Sequence, residues 1–239
     1  MQYHGLKKFL LIVFIGASAV ETSGMDIFPF TDDGPSLLYE TIDFKNEERP
    51  SYSLFEKALN GYYHLKNSRI ANKSILTIID FTRPSHLKRL WVIDVDRKLL
   101  LFHCLTAHGK NSGESMATSF SNTPNSNKSS LGFFVTGKTY IGKHGTSLKL
   151  KGLEPGINDQ AEARAIVMHG ADYVSEHYIK KYGRLGRSFG CPAVPHELHE
   201  KIIETVSNGS CLFIFHDSID YNQASEFAKV GRASGDINR

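Results

Sequence analysis

A mainly β or α+β fold is predicted by three features of the chain. Short apolar or alternating runs, rich in β-branched and aromatic residues, recur between Ile75 and His216. Helical periodicity is confined to a few segments, and no repeat of about 20–50 residues is present. The 239 residues, 41% hydrophobic and 22% charged, are ample for one core. Several strands with a few flanking helices define the class.

The elements follow in chain order. Lys7 and Lys8 precede the apolar run Phe9 to Gly16, and Ala17-Ser18-Ala19 offers small residues where a signal peptidase cuts. Residues 1–19 therefore read as a cleaved secretory signal. The run is shorter than the ~20 apolar residues that span a bilayer, and no later run reaches that length. No stable membrane span is expected after cleavage. Loss of the two lysines takes the formal charge from +3 to +1. A chain so near neutrality gives no electrostatic case for nucleic acid.

Residues 20–73 read as an N-terminal leader and helical segment. Leu54, Phe55, Ala58, Leu59, Tyr62 and Leu65 recur at helical spacing, with Ser53 and Glu56 as a capping box. Residues 74–218 form the main domain. Strands are expected over Ile75–Phe81, Arg89–Val95, Lys98–Leu105, Leu131–Gly137, Ser147–Leu150, Ala165–His169 and Cys211–His216. Between them, Gly109–Ser130 is a long polar stretch that reads as a substrate-facing or mobile loop. Helices are expected over Tyr173–Tyr182 and Pro195–Val206, the second starting just after Cys191, where its N-terminus would favour a thiolate. Residues 219–239 form a polar tail.

In an oxidising compartment, three cysteines leave at least one thiol unpaired. Cys104 and Cys211 fall in expected strands, either inert or bonded to each other. Cys191 is different, because Gly190 and Pro192 flank it in Arg187-Ser188-Phe189-Gly190-Cys191-Pro192. Such a context marks a turn that can present a side chain. A free cysteine is most often a buried hydrophobe. His169-Gly170, at the end of an apolar run, supplies the imidazole that could make this one a nucleophile.

The stretch from His169 to Val194 resembles the murein L,D-transpeptidase catalytic-domain family (YkuD-like), in its branch with an aromatic residue before Gly-Cys. The resemblance extends upstream to about Leu76, through Arg89-Leu90-Trp91-Val92-Ile93-Asp94 and His144-Gly145-Thr146-Ser147-Leu148. Phe189 stands where the commoner family pattern has histidine. The resemblance implies a β-barrel or sandwich core and a catalytic Cys191 with His169 as base. It implies acyl transfer on peptidoglycan tetrapeptide stems at the meso-diaminopimelate–D-Ala bond, through a thioester, without cofactor or metal. Periplasm or cell envelope is the corresponding location.

Gly190 and Cys191 amides are expected to face the oxyanion, and Gly170 to leave room for the imidazole. Arg187, Ser188, Phe189 and His144 are expected to contact substrate, with Ser188 equally suited to a turn hydrogen bond. Two other readings stay open: an L,D-carboxypeptidase using water as acceptor, and a non-catalytic wall-binding module. A zinc site at Cys191, His196 and His199 has unfamiliar spacing. Protein partners are not legible.

Overall fold

The computed structural model of the chain describes residue 1, residues 34–225 and residue 227. Most of the expected signal segment and of the expected tail lies outside these residues. The strands are β1 (Ile75–Asp80), β2 (Leu90–Asp94), β3 (Leu99–Cys104), β4 (Gly132–Gly142), β5 (Gly145–Gly152), β6 (Val167–Ala171), β7 (Ala193–Pro195) and β8 (Cys211–Phe215). The helices are α1 (Gly34–Thr41), α2 (Tyr52–Asn67), α3 (Glu176–Tyr182), α4 (His199–Val206) and α5 (Ile219–Ala224).

All eight strands join one mixed sheet in the order β3-β2-β1-β8-β4-β5-β6-β7. Most neighbours are antiparallel, whereas β1 with β8 and β6 with β7 are parallel. The two edges nearly meet. Beyond β3, the Ala107 amide donates to the Ala193 carbonyl of β7 at 2.9 Å, and the Thr106 hydroxyl donates to the same oxygen at 3.0 Å. The molecule is thus mainly β, a sheet curled almost into a barrel with a few flanking helices.

Central strands are apolar on both faces, as in β8, where all five residues are buried. Helix α2 covers one face through Leu54, Phe55, Ala58, Leu59, Tyr62 and Leu65, all buried. Fully burying each such leucine or phenylalanine stabilises the fold by about 1.5–3 kcal/mol. Gly61 lets this helix approach the sheet, since a Cβ there would lie 2.1 Å from the Phe133 ring.

Several expectations need correcting. The N-cap of α2 is Ser51, whose side chain accepts from the Leu54 amide at 3.4 Å, not Ser53. Strand β6 begins at Val167, because Ala165 adopts a left-handed turn at φ 53°. Pro195 ends a strand rather than starting a helix, and α4 begins only at His199. The helix therefore does not start directly after Cys191 in the chain. Cys104 and Cys211 are buried free thiols, and burial pushes Cys104 up to about 12. Among the described residues, no helix is long and apolar enough to cross a membrane.

Candidate active site

The parallel pairing of β6 with β7 builds the site. His169 is in register with Ala193, two residues after Cys191. Gly190 makes the turn before β7 at φ 122°, where a Cβ would lie 2.8 Å from the Lys128 carbonyl oxygen and 3.0 Å from Ile166. Only glycine suits that position. Cys191 and His169 both line one open cleft of about 410 Å³.

His169 is buried, and its Nδ1 lies 2.9 Å from the Gly170 carbonyl. A carbonyl only accepts, so Nδ1 carries the proton and Nε2 keeps its lone pair. Burial, reinforced by His144, Lys143 and His199, holds the imidazole below its ordinary value and so neutral. The Val167 amide donates to Cys191 Sγ at 3.5 Å, and the thiol lies 3.8 Å from the Ala165 carbonyl. A direct thiol–imidazole hydrogen bond is not among those of the described residues. Burial raises the Cys191 thiol, opposed by the Val167 amide, Arg164 and Lys143. Both shifts favour the neutral form, of the thiol and of the imidazole, within one cleft.

The other expected residues divide. Ser188 is buried and works inside the turn: its hydroxyl donates to the Cys191 carbonyl at 2.6 Å and accepts from the Gly190 amide at 3.0 Å. Of the two expected roles this is the turn hydrogen bond, and it engages the Gly190 amide. At Gly170, a Cβ would lie 2.6 Å from Cγ of His199, on α4.

Arg187 reaches the cleft, but its Nη1 donates to Glu114 at 2.6 Å and to the carbonyls of Gly113 and Lys110. Phe189 lies on the rim, 62% exposed, with Lys110 Nζ 4.4 Å from its ring centre. His144 stands on the β4–β5 turn and stacks on His169, with ring centres 4.4 Å apart and planes 17° apart. His144 is thus an immediate neighbour of His169.

Sequence reasoning missed Arg164, Lys143 and Tyr173, which also line the cleft. Arg164 lies five positions before His169 but gives no motif signal. It donates to the Ser121 and Lys128 carbonyls at 2.6 and 2.7 Å, and to the Ser130 and Ser126 hydroxyls. The polar stretch 109–130 supplies no cleft-lining residue. Instead it buttresses the cysteine turn: the Ser129 hydroxyl donates to the Gly190 carbonyl at 3.2 Å. His196 and His199 stack on each other, and no three His, Cys, Asp or Glu side chains among the described residues are placed to hold one metal ion.

A nearly closed sheet thus brings a cysteine on a glycine turn and a strand-borne histidine into one open cleft. The profile of the L,D-transpeptidase catalytic domain matches residues 46–215, and the chain belongs to that family. Among curated proteins, none matches it in sequence. Solved structures resembling it include an L,D-transpeptidase from Mycobacterium smegmatis, with 13% identity and a TM-score of 0.37 over 60% of this chain and 59% of that one. Another is the helical cell shape determining protein Pgp2 from Campylobacter jejuni, with 14% identity and a TM-score of 0.40 over 69% of this chain and 60% of that one. The chain thus spans about three fifths of the length of each of these two proteins.

Proposed function

We propose that the protein is an exported peptidoglycan L,D-transpeptidase of the cell envelope, acting on tetrapeptide stems at the meso-diaminopimelate–D-Ala bond. One observation carries this reading: Cys191, on its glycine-hinged turn, shares an open cleft with a neutral His169 whose Nε2 is free to accept a proton. Rotation of the thiol away from the Ala165 carbonyl turns its proton toward Nε2. Sulfur then bonds to the carbonyl carbon at the L-centre of diaminopimelate, while His169 takes the thiol proton.

The oxyanion so formed is met by the Cys191 amide, since the Gly190 amide already serves Ser188. One such donor commonly contributes about 3–4 kcal/mol to the transition state. The C–N bond to D-alanine breaks, the imidazolium protonates the leaving amine, and a thioester remains. An acceptor amine gives its proton to His169, attacks the thioester carbonyl and releases the thiol. Water in place of the amine gives the shortened stem.

Cys191→Ala should abolish both D-alanine release and covalent labelling by a carbapenem, read by intact-protein mass spectrometry. Cys104→Ala, whose thiol is sealed in the core, should keep both. Undiminished D-alanine release by the Cys191 variant ends the proposal.

A further inference from the structure

The cleft around Cys191 is lined by Lys143, Arg164 and Arg187 and, among the described residues, by no aspartate or glutamate. Arg187 is offset by Glu114, which also pairs with Arg184 at 3.0 Å. Among the described residues, the other two cations form no ion pair. Arg164 is held entirely by carbonyls and hydroxyls. Burial lowers its proton affinity, as for a cation whose lost hydration no anion replaces. Lys143 stands exposed at the β4–β5 turn, with neither hydrogen bond nor ion pair among the described residues.

Cys191 does not balance these charges, because its thiol is neutral at rest. The adjoining cleft of about 540 Å³ shares Lys143, His144 and Tyr173 but also contains Asp172 and Glu200. Uncompensated positive charge therefore belongs to the thiol side. An anion arriving with the substrate would neutralise it, in a partly enclosed site where charge pairs are stronger than in water.

We infer, building on the function proposed above, that the cleft selects stems whose diaminopimelate keeps a free carboxylate at its D-centre, and that Lys143 reads this charge. The same stem with that carboxyl amidated keeps its shape but loses the charge, so it is discriminated against. Arg164 sets the positive field while holding the loop. Lys143, on a hairpin tip, can move to meet the ligand.

The test uses the full chain with Cys191→Ala, so that binding is read without turnover. Isothermal titration would compare two synthetic tetrapeptide stems, one with the free diaminopimelate carboxylate and one with its amide. The free acid should bind about tenfold tighter or more, and less so as salt is raised. Adding Lys143→Met should bring the two stems within about twofold, and Lys143→Arg should preserve the preference.

Equal binding of the two stems overturns the inference, as does a preference that survives Lys143→Met. Turnover by the unmodified chain separates this inference from the reading it rests on. D-alanine release from both stems at equal kcat/KM defeats the selectivity and leaves the chemistry standing. Selective binding without any release does the reverse.

Discussion

In the proposed reaction, three residues make distinct physical demands. His169 must be neutral to act as base, and its surroundings hold it below the ordinary imidazole value of 6.5. Its deprotonated form is thus favoured at neutral pH, and the acid limb of kcat/KM should lie below pH 6.5. Cys191 is shifted the other way, above the ordinary thiol value of 9.0. Iodoacetamide labelling should therefore keep rising through pH 9 instead of reaching a plateau near neutrality. A plateau at neutral pH would show a resting thiolate and contradict the neutral pair. Gly190 makes a steric demand. Gly190→Ala forces a side chain into φ 122° and against the Lys128 carbonyl. Such backbone strain costs about 1–3 kcal/mol, so urea unfolding should shift by that amount and D-alanine release should drop with it. His169 and Cys191 were legible as motif residues. The Ser188 hydroxyl and the Gly170–His199 contact were not, because they depend on which elements meet in space.

At the scale of elements, hydrophobic period identified what is buried and failed where a few residues of backbone geometry decide. Strands β1, β2, β3 and β8 and helix α2 were readable because each carries a continuous apolar pattern. Strand β7 is only three residues long, Ala193–Pro195, too short for a pattern and ending in the proline that suggested a helix start. Polarity misled over residues 109–130. That stretch makes hydrogen bonds internally and with Arg164, so it supports the cysteine turn without lining the cleft. Arg164→Met keeps the stem's bulk and removes four hydrogen bonds. With charged donors lost and partly replaced by water, a destabilisation of about 2–4 kcal/mol is expected. Hydrogen exchange should quicken across residues 121–130 and in the cysteine turn, while α2 stays protected. Uniform acceleration over the whole chain would contradict a local buttress.

The curled sheet as a whole depends on the segment Thr106–Gly113, which joins its two edges, and this was illegible because no periodic signal marks an edge that closes on isolated bridges, Ala107 to Ala193 and Gly109 to Ser188. A buried pair holds that segment in place. Arg89 is wholly buried with no carboxylate bonded to it; Nη2 lies 2.8 Å from His108 Nδ1, and Nε and Nη2 both donate to the Thr106 carbonyl. Burial brings Arg89 down to about 9, still protonated at neutral pH, so Nδ1 of His108 must be the acceptor. Nε2 of His108 then donates to the Gly113 carbonyl at 3.2 Å, and the His108 carbonyl accepts from the Ser188 amide at 3.0 Å. The sheet closure and the cysteine turn thus share one neutral imidazole. Burial, then Arg89 and Arg187, lower that imidazole from 6.5 to about 4. Between these values the unfolded chain binds a proton that the folded chain refuses, so stability rises with pH there and is lost as pH falls from 6.5 toward 4. The 2.5-unit gap (6.5 − 4) corresponds to roughly 3 kcal/mol. His108→Gln keeps a polar side chain but removes the titration. Unfolding free energies measured in urea at several pH values from 4 to 7 should therefore fall less steeply toward acid in this variant than in the parent, by about that amount. Parallel curves for the two proteins would place the acid sensitivity elsewhere and detach His108 from the closure of the sheet.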